Sequence, residues 1–125
     1  MKKYLGALAL VMGLVFAGHA QGVVSFKKEK HDFGKITEGT QAAYTFEFTN
    51  TGNAPVIISN VQPSCGCTTP NWTREPIMPG RTGKVMASFD SNGRPGAFNK
   101  TIAVINNGRS GQIILTIQGT VDPKK

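Results

Sequence analysis

Cys65 and Cys67 are the two cysteines of the chain, and a single glycine separates them in Cys65-Gly66-Cys67. A pair so close in sequence cannot staple distant strands, so any chemistry it carries is local. If the sulfurs are bonded they close a very small ring. The entropy a cross-link removes from the unfolded chain falls with loop size, so the bond adds little stability. Strain in so small a ring favours reduction, the character of an exchangeable disulfide rather than a structural one. Gly66, without a Cβ, leaves the backbone free enough to close it. If the sulfurs are unbonded, two soft thiolates suit Cu(I) or Zn, with a His or Met completing the shell. Three readings stay open: a pair that only shapes its loop, a thiol–disulfide exchange site, and a copper or zinc site.

His31 is the histidine available to such a shell, because His19 falls in the leader described below. If the first strand runs toward one pole of a sandwich, the second runs away and the third returns. The segment after Val61 then lies at the pole the first strand approached, which brings His31 toward Cys65 and Cys67. A cysteine–histidine nucleophile would need Asp32 to orient His31, but neighbours in a strand point to opposite faces, so no catalytic constellation is read here. Met78 and Met86 read as packing residues rather than thioether ligands. Trp72 fits either a partner anchor or a cover over one end of the sandwich.

The compartment bears on the cysteines. Lys2 and Lys3 form a basic start, Leu5 to Phe16 an apolar and small stretch, and Ala17-Gly18-His19-Ala20 a small-residue cleavage site. This predicts a signal peptide over 1–20, cut after Ala20, and one mature domain over 21–125. The apolar run is too short for the roughly 20 residues of a membrane span, so no span remains after cleavage. A periplasmic or secreted location is expected, where disulfides persist. Losing Lys2 and Lys3 takes 14 basic side chains to 12 against 7 acidic ones, a net charge of +5. The excess is scattered rather than clustered with stacking aromatics, which argues against nucleic acid and fits a solvated face with loose affinity for anionic envelope polymers.

From Val23 onward the apolar residues alternate at period two between turn signals, which predicts an all-β, immunoglobulin-like antiparallel β-sandwich of about seven strands. The clearest strand is Ala43 to Asn50, with Tyr44, Phe46 and Phe48 on one face. Thr51-Gly52-Asn53-Ala54-Pro55 predicts a hairpin into Val56 to Val61. Lys84 to Phe89, Phe98 to Ile105 and Gln112 to Val121 follow, the last two joined through Asn107-Gly108. A further strand is expected near Thr68 to Thr73. The lysine-rich run Val23 to Phe33 reads as an edge strand, with Gly34 bending it before Lys35 to Thr37.

His31-Asp32-Phe33-Gly34, Asn50-Thr51-Gly52, Cys65-Gly66-Cys67-Thr68 and Ile77-Met78-Pro79-Gly80 occur in that order. Together they resemble a bacterial family of exported immunoglobulin-like domains, domain-of-unknown-function family 1573. The resemblance covers Val23 to Val121. It implies a seven-stranded sandwich related to pilus-chaperone and sperm-protein domains, and it implies no activity. A bacterial origin also makes the sequons at Asn71 and Asn99 chance matches. The expected function is that of a non-enzymatic envelope module that binds a protein or polymer, or assembles structurally, through its loops or an edge strand. The alternative is a metal or redox site at the Cys-x-Cys pair.

Overall fold

The computed structural model describes residues 20–124. The leader expected over 1–20 lies outside the described residues except for Ala20. Eight strands are found there: β1 (Val24–Phe26), β2 (Lys30–Thr37), β3 (Gln41–Asn50), β4 (Ile58–Pro63), β5 (Thr68–Trp72), β6 (Thr82–Asp90), β7 (Gly96–Asn106) and β8 (Gln112–Asp122). They form two four-stranded sheets, β1-β3-β6-β5 and β2-β8-β7-β4, packed as an immunoglobulin-like sandwich.

The alternation read in the sequence is the alternation of burial. Phe46 and Phe48 of β3 and Val85, Ala87 and Phe89 of β6 are inaccessible or nearly so. From the other sheet they meet Ile102, Val104, Leu115 and Ile117. Burying each such Val, Leu, Ile or Phe side chain is worth about 1.5–3 kcal/mol, which is why the pattern dictates the register.

Three expectations change. The run Val23 to Phe33 is at an edge but is two strands, not one. β1 pairs with β3 in the first sheet, and after Lys27–Glu29 the chain crosses to pair with β8 in the second. Phe26 and Phe33, seven positions apart, would face opposite sides of one straight strand, and the change of sheet lets both pack against the core. β2 runs parallel to β8, so the sandwich is not wholly antiparallel. β3 and β4 form no hairpin. β3 pairs with β6 and β4 with β7, and the connection is held by Val56, which bridges Ile77. The strand expected near Thr68 to Thr73 is present as β5, which ends at Trp72.

Candidate functional site

The cysteine segment is the crossing from the second sheet to the first. β4 ends at Pro63, β5 begins at Thr68, and Ser64–Cys67 joins them. Backbone bonds hold both sides of the crossing: Ser64 N–H donates to Thr101 O (2.8 Å), and Asp90 N–H donates to Cys67 O (2.9 Å). A tight turn lies between, with Thr68 N–H donating to Cys65 O (3.1 Å). Cys65 and Cys67 are bonded as a disulfide with their Cα atoms 5.1 Å apart. The two sulfurs differ in environment. Cys67 is buried in the core at 4% exposure, Gly66 is exposed and Cys65 is half-buried at the rim. Cys67 N–H donates to Cys65 Sγ (3.0 Å), and Thr68 Oγ1 lies 3.9 Å from Cys67 Sγ.

His31 is at the right level but on the wrong edge to join them. Ser64 bonds to Thr101, Thr101 pairs with Thr116, and Thr116 pairs with Lys30 beside His31, so one row across the second sheet connects the two places. That row runs from β4 at one edge to β2 at the other, three strand spacings or roughly 14 Å. Strand parity fixes the pole and says nothing of the edge. His31 instead stacks on Tyr44 with ring centroids 3.7 Å apart and meets the edge of Phe33 at 4.6 Å. Its Nδ1 is shielded and without a hydrogen-bond partner. Burial, then the Lys28 ammonium, hold its pKa below the ordinary histidine value, against the pull of Asp32. Among the described residues no group of three or more His, Cys, Asp and Glu side chains could hold a metal ion.

Two of the other motif segments serve the architecture. In His31-Asp32-Phe33-Gly34 the ladder to β8 slips by a β-bulge between Asp32 and Lys35. Gly34 takes φ +72° there, and Asp32 carboxylate oxygens accept from Gly34 N–H (2.7 Å) and from the Gln118 amide (3.2 Å). Those bonds, the Gly34 one foremost, hold the Asp32 carboxyl below the ordinary carboxylate range. Asn50 is a fully buried hub that the sequence reading left as the end of a strand. Its Nδ2 donates to Ala54 O and Ile77 O (2.8 Å each), and its Oδ1 accepts from Gly52 N–H (2.9 Å) and Val23 N–H (3.2 Å). An Asn ending an apolar strand just before Thr-Gly was the available signal, since such an amide bonds nearby turn backbone, here Gly52 N–H and Ala54 O.

The crossing of β1 into β2 leaves part of an edge open. Asn50 N–H bonds to Arg81 O of the β6 side, so even-numbered β3 residues face β6 and odd-numbered ones face outward. Lys27 N–H bonds to Glu47 O, after which the chain leaves. The outward N–H and C=O groups of Gln41, Ala43 and Thr45 pair with no strand among the described residues, and all three residues are exposed. A cleft of about 400 Å³ lies alongside, lined by Lys27, Lys28, Tyr44, Thr45, Glu47 and Lys84 among others. Lys27 pairs with Glu47 at 3.1 Å, and Lys28 lies 5.5 Å from the Tyr44 ring centre. On the far edge, Trp72 packs against the core under the Arg74 guanidinium, 3.8 Å from the ring centre.

The architecture matches solved structures at low identity. A protein of unknown function from Porphyromonas gingivalis superposes with a TM-score of 0.70 at 19% identity, over 81% of this chain and 48% of that one. The ASH / PapD-like domain 7 of human CEP192 gives 0.65 at 12% identity, over 84% of this chain and 89% of that one. The VesB protease of Vibrio cholerae gives 0.62 at 14%, over 79% of this chain and 31% of that one. The chain thus spans about half of the first of these and under a third of the last, and at such identities the likeness is one of fold. No curated protein matches the chain. The family model for proteins of unknown function, DUF1573, matches residues 24–121, and the chain belongs to that family.

Proposed function

We propose that this chain is a non-enzymatic module of the bacterial envelope, periplasmic or secreted, that binds an extended segment of another protein by strand addition at β3. The observation that carries this reading is the row of outward N–H and C=O groups on Gln41, Ala43 and Thr45, left open where the chain changes sheet. An extended peptide added there gains main-chain hydrogen bonds, and the side-chain pattern of the rim selects among sequences. Lys28 and Lys84 stand over that rim while Lys27 is paired with Glu47, so an acidic segment is favoured. A second copy of this basic chain would meet like charge.

The test is a titration of the isotopically labelled mature domain with extended peptides that alternate Val with Glu, with Ser or with Lys. Binding of the Val–Glu peptide, read as shifts of the Gln41, Ala43 and Thr45 amide resonances, is the expected result. Ala43→Pro removes one outward N–H without touching the β3–β6 ladder, and should abolish those shifts in a folded domain. The reading fails if no peptide perturbs those amides, or if binding survives Ala43→Pro.

A further inference from the structure

We propose that Cys65–Cys67 is an exchangeable disulfide in which Cys65 is the sulfur that enters mixed disulfides and Cys67 is the resolving sulfur. This site is separate from the β3 edge and does not rest on strand addition there.

The fold does not need the bond as a staple. The crossing is already fixed on the β4 side by Ser64 to Thr101 and on the β6 side by Asp90 to Cys67 and the pairing of Thr68 with Phe89. A ring spanning one intervening residue removes little entropy from the unfolded chain. What the loop does supply is asymmetry between the sulfurs. An incoming thiol can approach Cys65, half-buried beside the exposed Gly66, whereas Cys67 is walled by the core. A backbone N–H already points at Cys65 Sγ, where it would stabilise a thiolate once the bond opens. Cys67, in apolar surroundings, favours the protonated thiol, and Thr68 Oγ1 is its polar neighbour.

The chemistry balances with a thiol, small-molecule or protein, as reductant. Its thiolate attacks Cys65 Sγ. The new S–S bond forms as the Cys65–Cys67 bond breaks, and the electron pair leaves on Cys67 Sγ, which takes a proton from solvent. A second thiolate attacks the reductant's sulfur in the mixed disulfide, releasing a disulfide of the two reductant thiols and Cys65 as thiolate. Two electrons have passed from two thiols to the ring. In reverse, the Cys65 thiolate attacks a disulfide in another molecule, and Cys67, deprotonated as it attacks, resolves the mixed disulfide.

The experiment uses the mature chain and two single variants, Cys67→Ser and Cys65→Ser, with glutathione and its disulfide as the probe. Wild type should be reduced by glutathione while its circular dichroism stays native. By mass spectrometry, Cys67→Ser should take up one glutathione at least about tenfold faster than Cys65→Ser, as accessibility and thiolate character dictate. A bond that resists glutathione in the folded protein, or a chain that unfolds when it is reduced, overturns the exchange site. Ready reduction with Cys65→Ser the faster variant, or with equal rates, overturns the assignment of the two sulfurs. The β3 peptide titration is unaffected by any of these results.

Discussion

His31 of β2 lies flat on Tyr44 of β3, ring centroids 3.7 Å apart and planes within 9° of parallel, so an edge strand of one sheet is tied to an inner strand of the other. The lowered pKa of His31 predicts that stability depends on pH. Burial and Lys28 depress the His31 pKa more than Asp32 raises it, so the native state favours the neutral ring and protonation opposes folding. The contribution is complete above the unfolded-state value of about 6.5 and declines as pH falls through the lower native value. Urea midpoints should therefore fall between about pH 7.5 and about pH 5 at constant slope. His31→Phe keeps a ring on Tyr44 and should flatten that segment of the profile. A wild-type midpoint that is level across it would contradict the assignment.

The Asp32–Gly34 turn sets a second expectation. Gly34 holds φ +72°, and a Cβ placed there would touch nothing within 4 Å, so the cost of a side chain is purely one of backbone conformation. Gly34→Ala should cost about 1–2 kcal/mol, while Gly34→Asn recovers part of it because Asn visits this conformation more readily. Equal losses for the two would point to something other than backbone geometry. The Asp32 carboxylate, whose pKa is lowered chiefly by Gly34 N–H, adds stability present above the ordinary carboxylate range and lost as pH falls through its native value.

Faces were legible in the sequence and partners were not. Tyr44, Phe46 and Phe48 announce a buried face because the period of two is a local property of the chain, and Phe46 and Phe48 are indeed inaccessible. Which strand lies beside which is non-local. That is why the sheet change between Phe26 and Lys30, the parallel pairing of β2 with β8 and the absence of a β3–β4 hairpin could not be read. At the candidate site the local part was again the readable one. Cys65 and Cys67 had to meet if they met anything, whereas the place of His31 depended on the order of strands in the second sheet.

Export is testable on the protein itself. The basic start, the short apolar stretch and the small residues through Ala20 predict a mature chain beginning at Gln21. Intact-mass measurement of envelope material from the native host should give the mass of 21–125. A full-length species retained in the membrane would contradict cleavage after Ala20.

Asn50 gives the sharpest stability prediction. Its amide joins three stretches that share no regular secondary structure: Val23 before β1, Gly52 and Ala54 after β3, and Ile77 before β6. Its own backbone completes the junction, with N–H donating to Arg81 O and C=O accepting from Gly80 N–H. Asn50→Ala leaves Ala54 O and the N–H groups of Gly52 and Val23, all part-buried, without the amide, while Ile77 O keeps its bond from Val56 N–H. Each unsatisfied group costs about 1–3 kcal/mol, less where water enters the space, so a total loss of about 3–5 kcal/mol is expected. Asn50→Asp should be no better, because it sets a carboxylate against the Ala54 and Ile77 carbonyls in place of a donor. Exposed Asn53, whose Oδ1 accepts from Gln21 N–H at 2.7 Å, is the control, and Asn53→Ala should stay within about 0.5 kcal/mol of wild type. Urea denaturation of the three variants measures the differences. A loss below about 1 kcal/mol for Asn50→Ala would mean that backbone pairing alone holds the junction and that the amide adds nothing to it.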